Sequence, residues 1–426
     1  MNVHAPVTVP ITYEMVARAY QKVKQGGKAS GVDGQSWKSF EEKGVEKQLY
    51  VIWRRLSSGS YFPQAVREVE IPKANGKKRK LGIPTMTDRI AQQVVKTIME
   101  QRVDSMFHDN SYGYRPMKSS AQALESVRQN CFKRDWVVDL DITKFFDEID
   151  HELLLKAVEY VMPDRWIHVY VKRWLEMKIE RADGTTYDRG NKGTPQGGVI
   201  SPLLANLFLH FGLDQWLEKE HPTIAFVRYA DDIILHCASK AEADQVLQQI
   251  KQRLEQIHLR LNEEKSKIVY CKDYLRQERH EHVQFDFLGF SFQPRPTAST
   301  RNPGTSYTIF AGEISRKKKV HILGVIRDAV NWRNTIQELS TIAMVFNPKL
   351  RGWINYFGLF GKRHLTRTLQ HLDQRIIKFL MRKHKCGYRH AAWLLAVHQQ
   401  STPHLFYHWS TRYSFQVQRI NTSRMR

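Results

Sequence analysis

Two adjacent carboxylates, Asp231 and Asp232, stand between the apolar runs Ala225-Phe226-Val227 and Ile233-Ile234-Leu235, a pattern that predicts a β-hairpin with both acids at its tip. Adjacent carboxylates on a rigid turn offer hard oxygen ligands to Mg²⁺, which keeps several waters and takes one or two protein carboxylates together with substrate phosphates. An Asp-Asp turn alone is commonly no more than a solvated loop. Here a second acidic strand joins it: Trp136-Val137-Val138-Asp139-Leu140-Asp141-Ile142 is an apolar run with Asp139 and Asp141 on one face at the two-residue period. Two metals about 3.5–4 Å apart need carboxylates from separate strands, one ion activating a 3′-oxygen and the other holding a triphosphate. Asp141 with Asp231 and Asp232 supplies such a set, and the chemistry suggested is nucleotidyl transfer.

The surrounding pattern mixes helices and strands. Tyr13 to Lys24 and Trp37 to Leu56 read as two helices joined by the Gly26-Gly27 and Gly31-Val32-Asp33-Gly34 turns. Val66 to Pro84 reads as a hairpin turned at Asn75-Gly76, followed by a helix from Asp88 to Val103. From 131 to 300 strands alternate with helices around the antiparallel Asp231 hairpin, which predicts an α+β fold and not a doubly wound sheet. Pro294, Pro296, Pro303 and Gly304 predict a linker or exposed insertion near 301, beyond which the chain turns helical. In that helical part Leu369, Leu372, Ile376, Phe379 and Leu380 share one face, and Arg375, Lys378, Arg382 and Lys385 line another.

A chain of 426 residues with 42% apolar and 11% aromatic content has room for two or three globular domains. Its net charge of +23 points to a polyanionic partner. The excess is localised, since residues 313–426 hold 21 Lys and Arg against four acids. That distribution favours a binding surface over a generally basic one. No segment reads as a signal peptide or membrane span, and the four scattered cysteines lack metal-site spacing, so a cytoplasmic protein without membrane partners or structural zinc is expected.

Several short segments, in one order, resemble bacterial group II intron reverse transcriptases and maturases. They are Gly31-Val32-Asp33-Gly34, Ile71-Pro72-Lys73 with Arg79-Lys80-Leu81-Gly82-Ile83-Pro84-Thr85, and Ser111-Tyr112-Gly113-Tyr114-Arg115-Pro116. Asp139-Leu140-Asp141 with Phe145-Phe146-Asp147, Gly193-Thr194-Pro195-Gln196-Gly197-Gly198 and Tyr229-Ala230-Asp231-Asp232 come next. Leu261 to Lys267, Phe287 to Phe290 and Leu350 to Phe357 complete the series. The resemblance implies a right-hand polymerase, with fingers and palm of reverse-transcriptase type followed by a helical thumb or maturase domain. The expected divisions are an N-terminal extension at 1–60, fingers and palm at 61–300, thumb at 301–396 and a basic tail at 397–426.

The resemblance also implies roles. Two Mg²⁺ ions are expected on Asp141, Asp231 and Asp232. Asp141 is preferred to Asp139 because a bulky gate residue follows the metal-binding Asp by five positions, which places Phe146 beneath the incoming sugar with no room for a 2′-hydroxyl. One of Phe145 and Phe146 is expected in the core. Lys73 and Arg79 are expected to grip dNTP phosphates, Gln196 to meet the dNTP beside Gly197-Gly198, and Lys265 to protonate the leaving pyrophosphate. Arg115, Arg316, Lys317, Lys318, Lys319, Arg351, Arg375, Lys378 and Arg382 are assigned to nucleic acid.

Expected partners are an intron RNA or other RNA template, a DNA primer or target, and dNTPs; the oligomeric state is not legible. Many relatives end in a His-Asn-His endonuclease domain with clustered cysteines, and the absence of such a cluster leaves second-strand cleavage unexpected. The competing readings are an RNA-binding splicing factor that needs no polymerase chemistry, and a related reverse transcriptase acting in defence or diversification.

Overall fold

The computed structural model describes residues 9–27, 29–72, 78–298, 304–411 and 413. The chain divides into two compact units, Met1–Ala123 with Trp136–Ile268, and Leu124–Asp135 with Val269–Arg426. No helix among the described residues is long and apolar enough to cross a membrane.

The first unit opens with α1 (Tyr13–Lys24), which starts where the Thr12 hydroxyl accepts from Met15 N–H and buries Val16, Ala19, Tyr20 and Val23 at helical spacing. The single helix expected over Trp37 to Leu56 is two, α2 (Trp37–Glu42) and α3 (Val45–Ser57). Gly44 separates them at φ +85°, a left-handed conformation that ends a right-handed helix and suits glycine. Strands β1 (Val66–Pro72) and β2 (Lys78–Ile83) pair antiparallel as expected; Lys73 and the Asn75-Gly76 turn lie outside the described residues. Helix α4 (Met86–Val103) comes after them, its N-terminus capped by Thr85.

Helix α5 (Ser120–Lys133) passes from the first unit into the second, and the chain returns as β3 (Trp136–Leu140), short α6 (Phe145–Glu148), α7 (His151–Val161) and α8 (Arg165–Leu175). Two-residue strands β4 (Ile179–Glu180) and β5 (Thr186–Tyr187) extend the first hairpin into a sheet of order β2-β1-β4-β5. After α9 (Ser201–Leu209) comes a π-helical turn, His210–Asp214, and then α10 (Gln215–Glu220). The central hairpin, β6 (Ala225–Tyr229) and β7 (Asp232–Cys237), packs against α11 (Lys240–Gln256) and lies beside β3 and β8 (Lys267–Tyr270) in the order β6-β7-β3-β8. Val137, Val138, Val227, Ile233, Ile234 and Leu235 are all buried, so this sheet is held by apolar packing while its strand ends carry the acids.

The second unit contains β9 (Phe285–Phe287), β10 (Phe290–Ala298) and β11 (Ser306–Ile314), followed by α12 (Arg316–Asp328), α13 (Leu339–Phe357), α14 (Lys362–Lys383), α15 (Tyr388–Ser401) and α16 (Tyr407–Ser410). Pro294 and Pro296 are not in a linker: both lie within β10, paired with Phe310 and Thr308 of β11. Proline is tolerated because β9 pairs β10 only at Phe290 to Phe292, leaving the far edge without a ladder that needs an N–H. Phe285, Phe290, Phe292 and Phe310 form the buried face of this sheet. In α14 the five apolar residues expected to share a face are all buried.

Charge is also buried at the start of α4. Asp88 accepts from the Tyr61 hydroxyl at 2.5 Å, the Thr85 hydroxyl at 2.7 Å and Gln64 N–H at 3.3 Å. The neighbouring Arg89 donates to the Pro84, Gly27 and Ala29 carbonyls, tying the glycine turns of the N-terminal region to the helix. Burial pushes the Asp88 pKa up to about 6 despite the hydroxyl donors, so the folded chain binds more protons than the unfolded chain between pH 3.8 and about 6. The stabilising contribution of the neutral acid is therefore present at low pH and is lost as pH rises through 6. Asp88→Asn should gain stability relative to wild type by about 2–3 kcal/mol between pH 4 and pH 7, at ~1.4 kcal/mol per unit. Denaturant unfolding at both pH values measures this; a difference independent of pH would show that Asp88 is ionised throughout.

Candidate active site

The hairpin puts Tyr229 opposite Asp232 in register, leaving Ala230 and Asp231 as the turn. Ala230 sits at φ +58°, a left-handed conformation costing a non-glycine residue about 1–2 kcal/mol, so the turn must be held from outside. The loop Asn110–Gly113 does this. Arg228 N–H donates to the Asn110 carbonyl at 2.9 Å, and Tyr112 N–H donates to the Arg228 carbonyl at 2.8 Å. Gly113 then lies so close that a Cβ there would stand 2.5 Å from Ala230 N. Only glycine fits.

Asp141 follows the last residue of β3 and is held by the Leu261–Lys267 segment. Asn262 N–H donates to its carbonyl at 2.8 Å, the Ser266 hydroxyl accepts from its N–H at 3.0 Å, and Asn262 Nδ2 donates to Oδ2 at 2.9 Å. Lys265 Nζ lies 3.3 and 3.0 Å from the two carboxylate oxygens. The residue sequence reasoning missed here is Asn262; its motif was visible, but only the fold shows that it reaches 121 positions back to Asp141.

An open cleft of about 780 Å³ is lined by Asp141, Asp231, Lys265, Phe146, Gln196 and Arg79, all within the first unit. Neither Asp139 nor Asp232 is among the residues that line it. Phe145 and Phe146 both border the cleft, Phe145 buried at 2% exposure and Phe146 half-buried. Arg79 Nε donates to Gln196 Oε1 at 2.6 Å, and Gln196 Nε2 donates to Asp147 Oδ1 at 3.1 Å, linking β2 to the residue after Phe146. The backbone supports the link: Thr194 N–H donates to the Phe146 carbonyl at 2.7 Å and Gly82 N–H to the Gln196 carbonyl at 2.9 Å. Gly197, at φ +125°, is needed for its approach to the Gly82 carbonyl, where a Cβ would stand 2.6 Å away. Arg189, another cleft residue not foreseen from the sequence, has its ordinary pKa lowered by burial, with Asp147 opposing.

Electrostatics tie the acids together. Burial raises the Asp231 pKa from its ordinary value, with the Asp141 charge adding and Arg79 and Lys265 opposing. Asp232 is exposed at the start of β7, yet the protein crowded round its carboxylate, followed by the charges of Asp231 and Asp141, pushes its pKa up to about 6. Lys265 opposes this rise too. Among the described residues no three His, Cys, Asp or Glu side chains close on one point as a ready metal cage.

The nucleic-acid assignments divide. Arg115 is held inside its own loop and does not offer its guanidinium to nucleic acid: its side chain is 5% exposed, Nε donates to Asp104 Oδ1, Nη1 to the His108 and Ser111 carbonyls and Nη2 to the Asp104 carbonyl, each at 2.8 Å. It folds its own loop. In the second unit Arg316, Lys317, Lys318, Arg351, Lys378 and Arg382 are exposed, and Lys319 and Arg375 are half-buried. Arg351 lies over the Tyr407 ring, 5.4 Å from its centroid.

Residues 71–325 match the family described as reverse transcriptase (RNA-dependent DNA polymerase). The chain belongs to that family. Residues 321–395 of this reverse transcriptase match the group II intron maturase-specific domain. It is 33% identical to protein YkfC of Escherichia coli over 58% of this chain and 74% of that protein. It is 26% identical to the group II intron-encoded protein LtrA of Lactococcus lactis over 86% of this chain and 72% of that one. Among solved structures, telomerase from Candida albicans with a fragment of telomeric RNA aligns at a TM-score of 0.45 and 14% identity, covering 88% of this chain and 70% of that one. The reverse transcriptase is thus an RNA-directed DNA polymerase with a group II intron maturase region.

The position of Lys265 can be tested directly. Lys265→Met removes a cation that favours the ionised acids, so the Asp232 titration should move upward by on the order of half a unit. Carboxylate NMR across pH 4–8 reads it; an unmoved titration would place the ammonium too far away to act.

Proposed function

We propose that the cleft binds a dNTP opposite an RNA template and joins it to a primer 3′-hydroxyl, with Asp141, Asp231 and Asp232 as the acids that hold two Mg²⁺ ions. The observation that carries this reading is that Asp141, after the end of β3, and Asp231 and Asp232, at the β6–β7 turn, lie close enough for their charges to interact, with one ammonium, Lys265, placed on Asp141. The donor set fits the ion: hard carboxylate oxygens, more negative charge than one Lys neutralises, and an open cleft for the phosphates and waters that complete Mg²⁺ coordination. Bound there, the ions supply activation of the 3′-oxygen and neutralisation of the triphosphate. The chain's own groups do the rest. Arg79 and Lys73 hold phosphate oxygens, Gln196 fixes the position of Arg79, and Lys265 donates a proton to the departing pyrophosphate. The Phe146 ring occupies the space a 2′-hydroxyl needs.

The second unit binds structured RNA through phosphate contacts, and the partner is the group II intron whose splicing and mobility it assists. The exposed cations of α12 and α14 support this, together with the maturase-domain match. A splicing factor without polymerase chemistry would leave three converging acids and a nucleotide-sized cleft without a purpose.

Primer extension on an RNA template with dNTPs or NTPs tests the first part. Asp231→Ala and Asp232→Ala should abolish synthesis while RNA affinity stays near wild type, and Phe146→Ala should admit ribonucleotides. Full extension by either Asp variant, or unchanged sugar discrimination without the ring, would overturn the respective assignment. For the RNA surface, replacing Lys317, Lys318 and Lys378 with Gln should reduce the slope of log K against log salt by about two to three units, at roughly 0.7–0.9 per phosphate contact. An unchanged slope in the folded triple variant would mean these side chains are merely solvated.

A further inference from the structure

Arg228 is a charged residue within an otherwise apolar strand, and it has no exposed surface. Its guanidinium makes four hydrogen bonds. Nε and Nη2 donate to the two carboxylate oxygens of Asp214 at 2.8 and 2.5 Å, a bidentate pair in which both side chains are buried. Nη1 donates to Asn206 Oδ1 at 2.8 Å and to the Ala230 carbonyl at 3.2 Å. Asn206, also buried, donates its Nδ2 to the Gly113 carbonyl at 2.7 Å. One cation therefore ties together the left-handed residue of the catalytic turn, the loop pressed against that residue, and the π-helical turn that delivers Asp214.

A π-helical turn inserts a residue into a helix and re-aims the side chains beyond it. Here it lies between α9, which carries Asn206, and α10, and Asp214 is its last residue, so one partner of Arg228 precedes the irregularity and the other ends it. Apolar packing alone would stabilise this sheet without burying a charge pair, whose desolvation offsets much of its own attraction. The pair instead supplies direction: a rigid fork whose remaining donors fix a carbonyl one residue before Asp231.

We propose that Arg228 is a positioning residue for the catalytic turn, its guanidinium locked by Asp214 and Asn206 so that Asp231 and Asp232 are presented together for metal ligation. The proposal rests on the reading of those acids as metal ligands, and the experiment separates the two. Mn²⁺ binding to the full-length protein is followed by electron paramagnetic resonance, with Mg²⁺ half-saturation of single-nucleotide extension as a second readout. Wild type, Asp232→Asn, Arg228→Lys and Asn206→Ala are compared well below each protein's melting temperature, with near-ultraviolet circular dichroism confirming the fold.

Asp232→Asn should weaken Mn²⁺ binding at least tenfold; if it does not, the ligand reading fails. Arg228→Lys keeps the charge but loses the fork, and should weaken Mn²⁺ binding and raise the Mg²⁺ half-saturation by a similar factor while KM for dNTP at saturating Mg²⁺ changes less than threefold. Asn206→Ala keeps the ion pair and should give a smaller loss of the same kind, which carries the test if Arg228→Lys does not fold. Native metal affinity in the folded Arg228→Lys protein, or in Asn206→Ala where Arg228→Lys is unfolded, with only a lowered melting temperature, would mean that the cluster is a stabilising core and overturn the proposal.

Discussion

Mutual repulsion among Asp141, Asp231 and Asp232 is the constraint on which the rest of the site depends. Three carboxylates are brought to the ends of adjacent strands, and burial raises the pKa values of Asp231 and Asp232, with the charges of their acidic neighbours adding to the rise. Such a cluster persists only if the backbone beneath it is held independently of the acids. The apolar sheet supplies that support, with β3 and β7 in antiparallel register and their inward residues buried. The cluster is also left short of positive charge. Lys265 covers Asp141, and what remains is an electrostatic demand that divalent ions and a polyphosphate substrate can meet together.

The same constraint accounts for the polar scaffolding around the cleft. Asn262 and Ser266 grip Asp141 through neutral donors and acceptors, which fix a carboxylate without cancelling its charge. On the opposite wall, the Arg79–Gln196–Asp147 chain connects the β1–β2 sheet to the α6 turn that presents Phe146. The proposed phosphate-binding cation, Arg79, and the proposed sugar gate are thereby coupled through one glutamine. A substitution at Gln196 is expected to act on both, which distinguishes it from a direct contact residue.

Local pattern revealed much of this, and its failures have a common physical origin. The bounds of α1, the Asp231 hairpin, the β1–β2 pair and the buried face of α14 were legible because each depends on periodicity or on turn chemistry within a few residues. The break at Gly44 was missed because apolar spacing continues through it, and only a positive φ interrupts the helix. Pro294 and Pro296 suggested a linker because no local signal shows that β10 has an unpaired edge there. Arg115 was misassigned for a related reason: its partners, Asp104, His108 and Ser111, lie up to 11 positions away and meet it only in the folded loop. Arg228 did leave a trace, as a lone charge in the run Ala225–Tyr229, but Asp214 and Asn206 are brought to it by a π-helical irregularity that the sequence does not announce.

The account stands or falls on what occupies the space between the three acids during synthesis. Crystals of the protein with an RNA template, a 3′-deoxy DNA primer, dNTP and Mn²⁺, measured at the manganese absorption edge, answer this by anomalous scattering. Two Mn²⁺ peaks among Asp141, Asp231, Asp232 and the triphosphate, with Lys265 released from Asp141, are predicted. A bound dNTP with no anomalous peak on these carboxylates and the Lys265–Asp141 pair intact would contradict the account.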